Sequence, residues 1–95
     1  MREKTEGRGG RKADVWTALA DGTRRKIVLL LKHRPHTAGE LADQFELSGA
    51  TVSHHLGVLR ESGLIVCERR GQTLIYSLDK AAMQAFSRAV SELVK

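Results

Sequence analysis

The apolar positions of this sequence recur at helical spacing along most of the chain and change to strand spacing in one region. Five segments carry apolar residues three and four positions apart, namely 14–20, 21–34, 37–45, 48–63 and 79–95. Between the last two, residues 64–70 and 73–78 are rich in the β-branched and aromatic residues typical of strands. The pattern therefore predicts five helices and one β-hairpin, a mainly helical α+β fold.

Polar residues mark where these helices begin and end. Asp, Ser and Thr side chains at an N-cap accept a hydrogen bond from a free backbone N–H. Glu40 follows Thr37 by three residues, which completes a capping box, and Pro35 ends the helix before it. The predicted N-cap residues are Asp21, Thr37, Ser48 and Asp79.

The third and fourth helices are separated only by Glu46 and Leu47 before the Ser48 cap, so they cannot pack parallel and instead match a helix-turn-helix. In the fourth helix Val52, Leu56 and Leu59 lie on one face and are expected to anchor it in the core. With its N-terminus toward the major groove of duplex DNA, this helix presents a set of small and polar residues. They are Gly49, Ala50, Thr51, Ser53, His54 and His55.

A hairpin follows the helix-turn-helix directly. Its two-residue loop, Gly71-Gln72, suits a type II′ turn. Pairing outward from the loop sets Arg70 opposite Thr73, Arg69 opposite Leu74, Cys67 opposite Tyr76 and Ile65 opposite Leu78. The tip carries Arg69, Arg70 and Gln72, which are expected to contact the DNA backbone or a minor groove as a wing. The alternative is that the arginines only keep the hairpin soluble.

The last helix has an apolar seam, in which Met83, Phe86, Val90 and Leu93 recur three and four residues apart. The other elements already fill the core of so small a domain, so we expect the seam to pack partly against a second copy of the chain.

Charge is unevenly distributed along the chain. The formal net charge is +5, but residues 1–12 alone hold five basic and two acidic side chains together with three glycines. This segment is predicted to be a disordered basic arm preceding a single domain, residues 13–95. Two roles stay open for the arm: it reaches into a minor groove, or it is only a flexible start.

Four stretches together resemble the ArsR family of winged-helix repressors: DGTRRKIVLLL, TAGELADQFELS, TVSHHLGVLRESGLI and RRGQTLIYSL. The resemblance implies a dimer formed by the first and last helices, with the fourth helix as the reader and residues 69–73 as the wing. The expected function is sequence-specific repression by a homodimer bound to an inverted-repeat operator in double-stranded DNA. The expected dimer interface is Val15, Trp16, Leu19, Met83, Phe86, Ala89, Val90 and Leu93.

Many members of that family sense metals through cysteines in the helix before the reader or through ligands on the last helix. This sequence departs from both patterns, because residues 38–45 lack cysteine and residues 79–95 lack histidine. No metal and no cofactor are therefore expected. His54 and His55 point about 100° apart on a helix and cannot chelate one ion together. His33 and His36 flank Pro35 and are expected to be solvated loop residues.

Alternative interpretations remain for two single residues and for the function of the whole chain. Cys67 is either packed against Tyr76 or a redox switch, and Trp16 is either an interface or core residue or the cap of an effector pocket. No enzyme is expected, since no nucleophile, base and orienting group recur together. Without a leader or a membrane span, the cytoplasm is expected. The competing function is a winged-helix module that docks a protein.

Overall fold

The computed structural model describes residues 14–95, and the predicted arm, residues 1–12, lies outside them. The five helices and the hairpin of the predicted α+β fold are confirmed. The elements are α1 (Val15–Ala18), α2 (Gly22–His33), β1 (His36–Thr37), α3 (Ala38–Phe45), α4 (Gly49–Glu61), β2 (Ile65–Arg70), β3 (Thr73–Leu78) and α5 (Lys80–Leu93). Within the described residues no helix is long and apolar enough to cross a membrane.

The four longer helices begin at the predicted N-cap residues. The side-chain oxygens of these residues accept from a backbone N–H three positions on, in the pairs Asp21 with Arg24 (3.0 Å), Thr37 with Glu40 (3.1 Å), Ser48 with Thr51 (3.1 Å) and Asp79 with Ala82 (3.1 Å). Glu40 completes the capping box by accepting from the Thr37 N–H at 2.9 Å, which holds the pKa of Glu40 below its ordinary value. These bonds fix the start of each helix locally.

The core lies between α2, α3, α4 and the sheet. Each element contributes the residues on its apolar face, and α1 adds one small residue, so three helices and two strands enclose a single cluster. The buried hydrophobic residues are Ala18, Ile27, Val28, Leu31, Leu41, Val52, Leu56, Leu59, Leu64, Ile65 and Tyr76. The inner face of α4 is therefore fully engaged in packing.

The sheet has three strands in the order β1-β3-β2, whereas the sequence predicts only the hairpin. The hairpin register is as predicted, with Cys67 opposite Tyr76 and Ile65 opposite Leu78. The additional strand places His36 opposite Tyr76, where its side chain is buried and its Nδ1 lies 2.9 Å from the Arg34 carbonyl oxygen. The prediction that His36 is a solvated loop residue is wrong, because the chain after Pro35 pairs with β3.

α5 packs on the rest of the fold through one side only. None of its residues is buried, and Ala82 and Met83 near its N-terminus are the partly buried ones that pack against the core. Further along, Phe86 meets Trp16 of α1 edge to face, with ring centroids 4.8 Å apart. The apolar seam of α5 therefore faces largely outward within one copy of the chain.

Candidate nucleic-acid interface

The turn between α3 and α4 sets the direction of the outward-facing helix. α3 ends at Phe45, and its C-cap residue Glu46 has a left-handed backbone with φ of 55°. The Leu47 N–H donates to the Ala42 carbonyl at 3.2 Å, which closes the end of α3 before the Ser48 cap starts α4. The helix-turn-helix is thus held by backbone hydrogen bonds at the end of α3 and a side-chain cap at the start of α4.

The outer face of the N-terminal half of α4 presents the small and polar residues that the sequence singles out. Five of the six predicted reader residues are exposed there: Gly49, Ala50, Thr51, Ser53 and His54. Ser48 Oγ donates to Thr51 Oγ1 at 2.9 Å, so the first turn keeps its hydroxyl groups ordered. The sequence has no acidic residue from Leu47 to Arg60. A polyanion can therefore approach the N-terminal half of α4 closely without meeting a carboxylate on that half of the helix.

His55, the sixth predicted reader residue, is placed elsewhere. Its side chain is only 13% exposed and turns toward the start of α2, where its Nδ1 lies 3.2 Å from Arg24 Nη1 and 4.0 Å from Asp21 Oδ2. Sequence reasoning passed over Arg24, because helical spacing indicates which face a residue occupies but not which distant backbone groups a long side chain reaches. The largely buried side chain of His55 therefore lies on the side of α4 that contacts α2.

α4 passes directly into the hairpin through a Schellman motif. Gly63, with φ of 88°, donates from its N–H to the Arg60 carbonyl at 3.0 Å, and the Leu64 N–H donates to the Leu59 carbonyl at 3.3 Å. Leu59 and Leu64 are both fully buried, and an apolar pair at these two positions frequently accompanies the motif. The reader helix and the wing are therefore joined without a flexible linker.

The tip of the hairpin is exposed and basic. Gly71 has φ of 63°, and Glu46 is the only non-glycine residue with positive φ among residues 14–95, so Gln72 has negative φ as a type II′ turn requires. Arg69, Arg70 and Gln72 are all exposed. Arg70 Nε lies 3.4 Å from Glu68 Oε2, whereas Arg69 has no ion-pair partner within the described part of the chain. Arg69 is thus the freer of the two cations.

The residues of the predicted dimer interface form a second, apolar surface. Trp16, Val90 and Leu93 are 48%, 37% and 71% exposed. The remaining members lie around them: Val15, Leu19, Met83 and Phe86 are half-buried, and Ala89 is exposed. The contact of Trp16 with Phe86 makes α1 and α5 one continuous surface.

The other residues with reactive or ligating side chains are scattered. Cys67 is half-buried opposite Tyr76, and burial, with a smaller effect of Cys67, raises the pKa of the Tyr76 hydroxyl above its ordinary value. His33 is exposed, as predicted, while His36 lies within the sheet. Within residues 14–95 no three His, Cys, Asp or Glu side chains group closely enough to hold a metal ion.

Comparison with known proteins identifies relatives of this chain among transcriptional regulators. A family model described as a helix-turn-helix domain matches residues 19–68. Transcriptional repressor SdpR of Bacillus subtilis (strain 168) is 42% identical over 71 residues, which cover 75% of this chain and 79% of SdpR. Transcriptional activator HlyU of Vibrio cholerae is 32% identical over 76 residues, covering 80% of this chain and 70% of HlyU.

Solved structures agree in shape as well as sequence. The crystal structure of an ArsR family transcriptional regulator superposes with a TM-score of 0.74 at 29% identity, covering 82% of this chain and 80% of that one. The structure of HlyU from Vibrio cholerae gives a TM-score of 0.70 at 30% identity, covering 83% and 86%. The chain belongs to the ArsR family of winged-helix, DNA-binding transcriptional regulators.

Proposed function

We propose that this protein is a cytoplasmic transcriptional repressor that binds an inverted-repeat operator as a homodimer. The observation that carries the proposal is the exposed, carboxylate-free outer face of the N-terminal half of α4, joined through the Schellman motif to an arginine-bearing wing. The helix and the hairpin thus place together an exposed helical surface that can enter a major groove and a separate cationic tip.

Each part has a distinct task in this mechanism. The hydroxyl groups of Thr51 and Ser53 and the imidazole of His54 supply hydrogen bonds to base edges in the major groove. The free N–H groups at the start of α4 favour a phosphate there. Arg69, Arg70 and Gln72 hold the neighbouring backbone or minor groove, which fixes the register of α4 without reading sequence.

Dimerisation is supported by the apolar surface that α1 and α5 leave exposed. A helix of 14 residues with no buried residue gains only part of its stability from packing within one chain. Burying Trp16, Phe86, Val90 and Leu93 against the same residues of a second copy satisfies the two-fold relation of an isologous interface. Two reader helices then face half-sites about one helical turn apart on the DNA.

Repression rather than activation is the simpler use of this arrangement, because occupancy of a promoter blocks polymerase with no further contact. SdpR, whose name describes a repressor, shares 42% identity, against 32% for HlyU, whose name describes an activator. No metal is assigned to the mechanism, since neither ligand pattern of the metal-sensing relatives is present in the sequence.

The experiment is selection of bound DNA from a random duplex library, followed by titration of the enriched duplex and a scrambled one at two salt concentrations, with and without zinc. Enrichment of an inverted repeat, bound with steep salt dependence and without a zinc effect, is the expected result. Sedimentation of the complex should give two chains per duplex. No binding to either duplex at low salt would overturn the proposal and favour a protein-docking module.

A further inference from the structure

Arg24 joins three separate parts of the fold through its guanidinium group. Nε donates to the Ala18 carbonyl at 2.8 Å, and Nη2 donates to the Thr17 carbonyl at 3.4 Å, so the group caps the end of α1. Nη1 points to His55 Nδ1 on α4 at 3.2 Å. The Arg24 backbone N–H is itself held by the Asp21 carboxylate at the start of α2. One side chain therefore connects α1, α2 and the reader helix.

The chemistry of the two groups determines which one donates and which one accepts in the Arg24–His55 contact. A guanidinium group has only donors, so in this hydrogen bond Arg24 donates and the lone pair of His55 Nδ1 accepts. Asp21 Oδ2, at 4.0 Å from Nδ1, is beyond hydrogen-bond distance. The imidazole is 13% exposed, and its contact with Arg24 is a partly buried, charge-assisted hydrogen bond.

We propose that the Arg24–His55 hydrogen bond positions the reader helix, holding α4 at a fixed orientation relative to α1. His55 in this role is a positioning residue and does not touch DNA. The inference rests on the proposed function of α4 as the reader. It also links the two proposed surfaces, because Thr17 and Ala18, whose carbonyls Arg24 caps, adjoin Trp16 on the dimer side.

His54 provides a matched comparison, since it is the adjacent histidine on the same helix but is exposed and makes no hydrogen bond with Arg24 in the described part of the chain. A reader residue and a positioning residue respond differently to a double-mutant cycle. If Arg24 acts on DNA binding through His55, removing His55 adds little once Arg24 is gone, whereas the loss of His54 multiplies with the loss of Arg24.

The test measures affinity for the selected operator duplex for Arg24→Met, His55→Leu, His54→Leu and the two double variants, R24M/H55L and R24M/H54L. His55→Leu should weaken operator binding about tenfold, leaving the salt slope and the affinity for scrambled duplex unchanged. His55→Asn, whose side-chain carbonyl can accept at the place of Nδ1, should restore most of the affinity. His33→Leu, an exposed histidine on α2, serves as the unaffected control.

Several outcomes would overturn this inference. One is that the losses of operator affinity caused by Arg24→Met and His55→Leu multiply in the double variant. The others are that His55→Leu reduces the salt slope of binding, or that His55→Asn binds the operator as weakly as His55→Leu. If His55→Leu does not fold by circular dichroism, the affinity and salt slope of His55→Asn decide alone. Absence of operator selectivity in the unmodified protein would instead contradict the proposed function.

Discussion

Replacing the wing arginines should reduce the salt dependence of DNA binding by an amount that differs between the two. Each phosphate neutralised contributes about 0.9 to the slope of log affinity against log salt. A homodimer carries two wings, so Arg69→Ala should lower the slope by about 1.8 if Arg69 meets one phosphate per wing. Arg69 has no ion-pair partner among residues 14–95, so its full charge is available.

Arg70 should have a smaller effect. Its Nε lies 3.4 Å from Glu68 Oε2, and the two side chains are 69% and 61% exposed. Such a pair contributes at most about 1 kcal/mol, so Arg70 can leave it for a phosphate, but the carboxylate remains nearby and opposes the DNA. Arg70→Ala is expected to lower the slope less than Arg69→Ala, and Glu68→Gln to strengthen binding.

The assay is fluorescence anisotropy with a labelled operator between about 50 and 200 mM salt, a range in which phosphate contacts change affinity strongly. Lys80→Ala is the matched control, because Lys80 follows the end of β3 that lies about 20 Å from the hairpin tip at 3.3 Å per strand residue. A slope for Arg69→Ala equal to that of the Lys80→Ala control would refute the placement of the wing on the DNA backbone.

Three further predictions concern stability and assembly. Gly57→Ala should raise the free energy of unfolding in urea by about 0.5–1 kcal/mol, because Gly57 lies inside α4 and an added Cβ meets nothing within 4 Å; a lower midpoint would contradict this. Hydrogen bonds from backbone N–H groups lower the pKa values of Asp14, Asp21 and Glu40 below 3.8, 3.8 and 4.5. The stability that these three carboxylates contribute is therefore fully present above those values and is lost as the pH falls through their lower folded pKa values. The variant in which Asp14 and Asp21 are replaced by Asn and Glu40 by Gln should accordingly lose less free energy of unfolding below about pH 4 than the unmodified protein does. Identical pH profiles of stability for the two proteins would refute this assignment. Val90→Asp should convert the proposed dimer to monomers in sedimentation, because it would bury a charge in the apolar seam of α5. A dimer that is unchanged by this substitution would exclude Val90 from the interface.

The sequence predicts well those parts of the fold that are determined by residues close together in the chain. The caps at Thr37 and Ser48 and the turn at Gly71-Gln72 are each specified within four residues, and the structure has all of them. The hairpin register follows from the turn, because a two-residue loop leaves only one alignment of the strands. The exposed face of α4 follows from its apolar spacing.

The parts that sequence reasoning missed depend on residues far apart in the chain. His36 enters a strand only because Tyr76, 40 positions later in the numbering, offers its backbone opposite it. A two-residue strand leaves no alternation to detect. Its position on α4 predicts that His55 is a reader residue, yet its side chain turns toward Arg24 at the start of α2. Neither partner is visible from local spacing.

The short strand β1 also determines how much of the hairpin belongs to a three-stranded sheet. Because β1 pairs only with Ile75 and Tyr76, the three-stranded part of the sheet ends at these residues, and residues 69–74 project beyond it as a two-stranded ribbon. In this ribbon each strand has only the other as its neighbour among the described residues. Under the proposed function, the side chains expected to meet DNA therefore lie in the section of the hairpin that the third strand does not reach.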